Sequence, residues 1–301
     1  MKKWPVLLFI VFFVSAVLHP AESMAQQSAA GNAAQAHPAS SRQVILPVPI
    51  AVMDGHRPYT VANTHSHNDY EQPTPFWMAY QEQFGSIEAD IFWLNGQLII
   101  AHNLRETGAG RTLEEYYIKP LQSCLLKNGG YPFADTSRQL QMMIDIKTDS
   151  IATLHALIEL LKRYPAVINT PFVKWVISGN RPAPSLFTSY PSFIWFDGVL
   201  HSSYNKEELS KVAMLSDDLR HYTRWDGQTE VPAADWKTLQ EAVSRSHSLG
   251  IPVRFWDAPD FPHAWDQLIH LQVDYINTDH IAQLASYLKE HPHGSYPENK
   301  P

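Results

Sequence analysis

Apolar runs and helical apolar patterns alternate along most of this 301-residue chain. Apolar runs at 60–64 and 86–93 predict two strands, and apolar residues at helical spacing over 76–84 predict a helix between them. A third run, at 97–101, predicts a short return hairpin. Parallel strands joined by helices end on one rim, and α/β proteins carry their chemistry on that rim.

The same alternation continues to the end of the chain. Helical patterns cover residues 112–127, 151–163, 236–249 and 264–271. Strands are predicted to start at residues 60, 86, 140, 173, 193, 213, 252 and 274. Eight parallel strands alternating with helices predict an α/β fold, a (β/α)₈ TIM barrel. The helical segment around 207–210 is short, so one or two outer helices are expected to be missing.

The N-terminal residues have the pattern of an export signal. Lys2 and Lys3 precede an apolar run at 6–18 that is short for a membrane span, and Ser23-Met24-Ala25 fits a small-x-small cleavage site. This predicts a signal peptide over 1–25, cut after Ala25, and a periplasmic or secreted protein. An uncleaved anchor is the alternative. Residues 26–43 are rich in Ala, Gln and Ser and predict a flexible linker, which leaves 44–301 for the barrel domain.

Composition and charge narrow the possible partners. The chain has 23 Lys and Arg residues against 30 Asp and Glu residues, a formal net charge of −7, and no basic run. Such a surface does not attract nucleic acids or anionic membranes by its overall field, so we expect no nucleic-acid partner and at most transient membrane contact. We expect a monomer acting on a small or lipid-derived substrate.

Three carboxylates are predicted to meet at the rim. Glu88 and Asp90 lie two apart on a strand, so their side chains face the same side. Asp145 ends the next barrel strand. Three carboxylates without a soft ligand favour a hard cation, Mg²⁺ or Ca²⁺. The alternative for Asp145 is a salt bridge with Lys147 at the barrel rim.

Imidazoles stand at the ends of the first strand and of the return hairpin. His65 and His102 could exchange protons near neutral pH, one activating a nucleophile and the other protonating a leaving oxygen. His67 is a rival for His65. The His65-x-His67 pair is also a two-ligand motif of amidohydrolase-type or PHP-type metal hydrolases, which need further histidines on middle strands. His201 is the only nearby candidate there.

Five motifs, taken in chain order, resemble a known superfamily. They are HSHNDY, IEADIFW, IIAHN, GRTLEEYYIKPL and the terminal VRFWDAPD with VDYINTD. Together they resemble the phosphatidylinositol-phospholipase-C-like phosphodiesterases, which include glycerophosphodiester phosphodiesterases and sphingomyelinase D. The closest resemblance is to the altered-inheritance-of-mitochondria branch. The resemblance implies a TIM barrel, a metal-dependent phosphoric diester hydrolase and a role in lipid metabolism.

The resemblance also implies roles for particular residues. In the family, a Glu-x-Asp pair and an acid from a later strand bind the metal, which corresponds to Glu88, Asp90 and Asp145. Its catalytic histidines correspond in position to His65 and His102. Substrate contacts are expected from five further residues, namely Lys147, His67, Asn68, Trp256 and Asn277.

Two positions differ from the glycerophosphodiesterase pattern. Ser66 replaces an arginine and Asn103 replaces an aspartate, so the substrate headgroup stays open. A barrel that binds phosphorylated ligands without catalysis is a further alternative, although such a module would not need two histidines and three acids.

Overall fold

Eight parallel strands form a nearly closed barrel within the described part of the chain, residues 58–292, in the computed structural model. The predicted signal peptide (1–25) and linker (26–43) lie outside the described residues. Residues 58–292 fall within a single compact unit. Among them, no helix is both long enough and apolar enough to cross a bilayer.

The strands follow the predicted order. They are β1 (Thr64–Ser66), β2 (Ser86–Leu94), β3 (Gln97–Ile100), β4 (Leu140–Ile146), β5 (Val173–Gly179), β6 (Ile194–Val199), β7 (Val212–Asp218), β8 (Val253–Trp256) and β9 (Ile276–Thr278). The parallel sheet runs β8-β7-β6-β5-β4-β2-β1-β9, and β3 pairs antiparallel with β2 as a return hairpin. A single parallel bridge between Arg254 in β8 and Tyr275, just before β9, links the two ends of this sheet. The predicted TIM barrel is confirmed.

The helices of the outer layer differ in length. They are α1 (Trp77–Gln81), α2 (Lys119–Lys127), α3 (Ser150–Lys162), α4 (Pro165–Ile168), α5 (Lys206–Leu209), α6 (Ala233–Ser248), α7 (Pro262–His270) and α8 (Ile281–Glu290). Helix α5 is a single turn, and a 3₁₀ turn at Pro184–Ser189 replaces an α-helix between β5 and β6. The prediction of missing outer helices is therefore confirmed within the described residues.

The first strand begins later than predicted, which matters for the site. The prediction was a strand over 60–64, but Thr60 caps a 3₁₀ turn at Val61–Asn63, accepting a hydrogen bond from the Ala62 amide at 3.2 Å. The Asn63 side chain returns a bond to the Thr60 amide at 3.1 Å. Because this turn uses the predicted strand residues, β1 starts at Thr64 and His65 lies inside it.

The predicted helix over 112–127 also has a different start. Thr112 accepts a hydrogen bond from the Glu115 amide at 3.3 Å, as a cap would. The first turn, Glu114–Ile118, is π-helical, and the regular α-helix begins only at Lys119. The remaining strand and helix bounds differ from the predicted ones by a few residues, the range in which helix and strand ends fray.

Apolar side chains support the rim from inside the barrel. Met143 pairs with Glu88 in the β2–β4 register, so the two side chains point to the same face of the sheet. Met143, Val176, Ala213 and Met214 form a small buried cluster of their own, separate from the large core between strands and helices. This apolar layer underlies the charged residues at the carboxyl ends of the strands.

Candidate active site

A polar cavity opens at the carboxyl rim of the barrel. Its volume is about 560 Å³. Most of the predicted site residues line it, together with several that were not predicted: His67, Asn68, Glu88, Asp90, His102, Asp145, Lys147, Ser178, Gly179, Arg181, Asp197, Val199, His201, Ser216, Asp217, His221, Arg254 and Trp256. His65 and Asn277 do not line it.

The three predicted carboxylates converge on this cavity. Asp90 and Asp145 are register partners on β2 and β4, and Glu88 lies two residues earlier on the same face. One oxygen of each lies within 4.8 Å of the others. The Lys147 ammonium lies 2.9 Å from Asp90 Oδ2 and 3.0 Å from Asp145 Oδ1. The carboxylate cluster and the Asp145–Lys147 ion pair, considered as alternatives from the sequence, are therefore both present.

Within the carboxylate cluster, the pKa is raised for two residues, Asp90 and Asp145. Burial and the charge of Glu88 raise the pKa of Asp90, and the same two causes raise the pKa of Asp145 to about 6. Burial also opposes ionisation of Glu88, but the bond to His65 and the nearby Arg254 charge outweigh it and lower the Glu88 pKa. A cation bound between the three carboxylates would offset this repulsion.

The donor set and the space around Asp145 fit a hard cation. Apart from the Lys147 ammonium, the buried Asp145 Oδ1 has no hydrogen-bond partner among the described residues. Gly179 lies directly beside it, at a φ of +65°, and a Cβ there would stand 2.1 Å from that oxygen. The all-oxygen donor set is the kind that Mg²⁺ and Ca²⁺ prefer.

Gly179→Ala is expected to weaken cation binding. The added Cβ would displace the Asp145 carboxylate, so affinity for Mg²⁺ or Ca²⁺ should fall about 10–100-fold, the range for a ligand that loses its support. Gly250→Ala is the matched control, because Gly250 has a φ of +70° but no atom within 4 Å of an added Cβ. Gly250→Ala should lose about 1–2 kcal/mol of stability from the left-handed backbone. Gly179→Ala should lose more, because its added Cβ would also stand 2.7 Å from the Ile146 carbonyl oxygen. Equal cation affinities in the two variants, measured by calorimetry, would contradict this role of Gly179.

His65 lies beneath the cavity instead of on its wall. It is fully buried, with Nδ1 at 2.8 Å from Ser86 Oγ and Nε2 at 3.0 Å from Glu88 Oε2. Burial and the adjacent Arg254 charge lower the pKa of His65 to about 4. His65 was predicted as a catalytic histidine, and the structure places its side chain inside the barrel, where it does not line the cavity.

His67 and His102 are the imidazoles that line the cavity near the carboxylates. His67 Nδ1 lies 2.9 Å from Asp279 Oδ1. Burial lowers the His67 pKa, but the Asp279 bond and the nearby carboxylate charges outweigh it, and the net shift is upward. His102 Nδ1 lies 3.4 Å from Asp90 Oδ2. His67 is thus hydrogen-bonded to an aspartate through Nδ1, and His102 has an aspartate within ion-pair range of its Nδ1.

Of the remaining residues predicted to contact substrate, two line the cavity and one is buried below it. Asn68 and Trp256 line the cavity, and Trp256 is 40% exposed. Asn277 is buried and its Oδ1 accepts a hydrogen bond from Arg254 at 3.2 Å, so it is not placed to meet a ligand. The amidohydrolase-type alternative also lacks support. Two groups of possible metal ligands converge within the described residues, and neither contains His65 or His67.

Sequence reasoning missed Arg254, the charge at the centre of the barrel. Its NH1 lies 2.6 Å from His65 Nε2 and 3.7 Å from Glu88 Oε2, and its NH2 lies 3.6 Å from Asp197 Oδ2. The side chain is only 4% exposed. An arginine between Val253 and Phe255 in a buried strand was the available signal, because alternation directs it inward.

Arg254→Met is expected to destabilise the fold strongly. Without the guanidinium, the buried Glu88 and Asp197 lose their cation, and breaking a buried pair in this way costs about 3–5 kcal/mol. Arg220→Met is the control, since Arg220 pairs with Asp257 in an exposed position and should lose about 1 kcal/mol or less. Urea unfolding of both variants measures the difference. A loss for Arg254→Met as small as the control's would mean that the buried network is not stabilising.

Tyr70, within the HSHNDY motif, was also missed. Its hydroxyl lies 2.8 Å from Asp90 Oδ2, 2.9 Å from Asn68 Oδ1 and 3.3 Å from His102 Nδ1. Burial and the Asp90 charge raise the Tyr70 pKa, so the hydroxyl keeps its proton. The Tyr70 hydroxyl therefore contacts both Asp90 of the carboxylate cluster and the His102 imidazole.

Two family models match parts of this chain. Residues 54–166 match the AIM6-like phosphodiesterase domain, and residues 252–282 match the glycerophosphoryl diester phosphodiesterase family. The predicted family resemblance is confirmed. The AIM6-like match contains the segment from His65 to Lys147, and the second match contains Arg254, Trp256 and Asn277.

Individual relatives have low sequence identity to this chain, but the similarity covers most of its length. Altered inheritance of mitochondria protein 6 from Eremothecium gossypii is 25% identical over 276 residues, covering 75% of this chain and 69% of the relative. The homolog from Arthroderma benhamiae is 26% identical over 284 residues, covering 82% and 90%. Among solved structures, a glycerophosphodiester phosphodiesterase from Parabacteroides distasonis aligns with a TM-score of 0.48 and 13% identity, over 76% of this chain and 97% of the other.

Proposed function

We propose that this chain hydrolyses phosphoric diesters with one Mg²⁺ or Ca²⁺ ion held by Glu88, Asp90 and Asp145. The observation that carries the proposal is the convergence of these carboxylates within 4.8 Å, in one cavity with Lys147 and two oriented imidazoles. The AIM6-like phosphodiesterase match supports the reaction class. The bound cation would polarise the phosphoryl group and offset charge that develops on its oxygens.

Lys147 supplies fixed positive charge on the chain itself. Its ammonium is held between Asp90 and Asp145 at 2.9 and 3.0 Å, and it lines the cavity. A phosphate oxygen entering the cavity would find this ammonium already positioned, so little reorganisation is needed as charge builds up in the transition state.

His67 suits the role of general acid. Its raised pKa favours the protonated ring near neutral pH, and the Asp279 contact at Nδ1 leaves Nε2–H to donate to the leaving oxygen. His102, oriented by Asp90 and Tyr70, would take the proton of the nucleophile. This assignment replaces His65 by His67 and keeps the two-histidine mechanism.

The nucleophile is expected to come from the substrate or from water. No Ser, Thr or Cys among the proposed site residues is arranged with a base to activate it. A hydroxyl next to the phosphodiester, as in glycerol or inositol derivatives, would attack internally, which avoids the entropy cost of a bimolecular step. The product would then be a cyclic phosphate.

A substrate panel tests the proposal. The purified protein should cleave some phosphodiesters with Mg²⁺ or Ca²⁺ and lose this activity in chelator, with phosphomonoesters uncleaved as the negative control. Phosphorus NMR of a cleaved diester and of its analogue without the neighbouring hydroxyl shows whether a cyclic product forms. Failure of the loaded protein to cleave any diester, together with ligand binding, would instead support the non-catalytic barrel.

Export, a monomeric state and the absence of a nucleic-acid partner stay predictions. The predicted cleavage site after Ala25 lies outside the described residues. N-terminal sequencing of the protein recovered from the periplasm or medium would test it, and a mature chain starting at Gln26 is the expected result.

A further inference from the structure

A second group of metal-type ligands lies on the same cavity. It consists of His201, two residues after β6, Asp217 near the end of β7, and His221 in the 3₁₀ turn Leu219–His221. We call these three residues the His-Asp-His cluster. One ligand atom of each lies within 4.8 Å of the others, and all three residues line the cavity.

Asp217 is the centre of the cluster. Its Oδ2 lies 2.7 Å from His201 Nδ1 and its Oδ1 lies 2.8 Å from His221 Nδ1. The carboxylate is 3% exposed, whereas the imidazole side chains are 60% and 57% exposed. The cluster therefore has a buried anionic base and two imidazoles at the cavity surface.

Neighbouring groups hold the Asp217 carboxylate ionised and in place. The Tyr222 hydroxyl donates to Oδ2 at 2.8 Å, and the Asp218 amide donates to Oδ1 at 2.9 Å. Burial opposes ionisation of Asp217, but the bonds from both imidazoles and Tyr222 outweigh it and lower the pKa. Metal-binding carboxylates have supporting hydrogen bonds of this kind.

The donor set differs from that of the carboxylate site. Two imidazole nitrogens and one carboxylate oxygen favour Zn²⁺ and related first-row ions over Mg²⁺ or Ca²⁺. The 2.7 and 2.8 Å separations are hydrogen-bond lengths, so without an ion each imidazole shares a proton with Asp217. A metal ion would replace these protons, because its ligands must be deprotonated.

We propose that His201, Asp217 and His221 form a second cation site, selective for Zn²⁺-type ions. Three protein ligands at a cavity wall leave a coordination position for water or for an anionic oxygen of a bound molecule. The site draws on β6 and β7, whereas the carboxylate site draws on β2 and β4. It does not depend on the proposed hydrolase activity, and its test measures metal binding alone.

The test is Zn²⁺ binding by the full chain in excess Mg²⁺, which keeps the carboxylate site occupied. Competition with a chromophoric chelator should give one Zn²⁺ per chain. His201→Ala and His221→Ala should each weaken binding about 100-fold or more, beyond the 10–100-fold typical of a lost supporting group. His155→Ala, which removes an exposed histidine on α3, should bind like the parent chain.

Two further measurements separate the site from its alternatives. Asp90→Asn should retain the Zn²⁺, and X-ray absorption at the zinc edge should show two imidazole ligands. Loss of Zn²⁺ in Asp90→Asn with unchanged binding in both histidine variants would place the ion at the carboxylate site and overturn the proposal. Absence of Zn²⁺ binding in the parent chain would also overturn it, leaving the cluster as a hydrogen-bonded triad.

Discussion

Asp90→Asn is expected to abolish binding of Mg²⁺ or Ca²⁺ and phosphodiester hydrolysis together. Asp90 Oδ2 contacts both the Lys147 ammonium, at 2.9 Å, and the Tyr70 hydroxyl, at 2.8 Å. An amide there removes one of three anionic ligands and places an NH₂ group near the cation. Because a catalytic metal supplies several kcal/mol and each 1.36 kcal/mol is tenfold in rate, turnover should fall about 10³-fold or more.

Asp149→Asn is the matched control for this substitution. Asp149 is the N-cap of α3, where it accepts a hydrogen bond from the Ala152 amide at 2.8 Å. Asparagine caps helices about as well as aspartate, so both stability and activity should be retained. Calorimetric Mg²⁺ affinity equal in Asp90→Asn and Asp149→Asn would mean that the cation site lies elsewhere.

His67→Ala and His102→Ala should each lower turnover about 10²–10⁴-fold, the usual contribution of a general acid or base. Neither imidazole belongs to the carboxylate cluster, so cation affinity should be retained. His155→Ala serves again as the control for loss of an exposed imidazole. Full activity of His67→Ala and His102→Ala on every cleaved diester would rule out the two-histidine mechanism.

The pH dependence of turnover separates the two histidines. An acid acts while protonated, so activity should fall as pH rises through the His67 pKa, which lies above the ordinary 6.5. His67→Ala should therefore lose the alkaline limb of the bell-shaped profile, and persistence of that limb would reassign the acid.

The carboxylates could be predicted from sequence because their geometry is local. Strand alternation places Glu88 and Asp90 on one face, and the end of the next strand brings Asp145 beside them. The burial of His65 was harder to predict, because the start of β1 depends on a local turn. The capped turn at Val61–Asn63 depends on the polar side chains of Thr60 and Asn63 within an otherwise apolar run, and it delays the start of β1 to Thr64.

The rest of the site depends on contacts that a linear pattern does not contain. Arg254 meets His65, a residue 189 positions earlier, only because β8 and β1 are brought together when the barrel closes. The His-Asp-His cluster likewise needs the loop after β6 and the turn after β7 to fold towards each other. Strand alternation could direct Arg254 inward, but neither that arginine nor a single histidine indicates which partners it meets.

The most direct test of the carboxylate site is a titration of chelator-stripped protein with Mg²⁺, followed by calorimetry and by phosphodiester turnover on the same sample. Turnover should rise in proportion to the occupancy of one site and saturate at one ion per chain. Asp145→Asn should show neither the binding isotherm nor the rise in turnover. Full turnover in the stripped protein, or an unchanged titration in Asp145→Asn, would contradict metal-dependent hydrolysis at Glu88, Asp90 and Asp145.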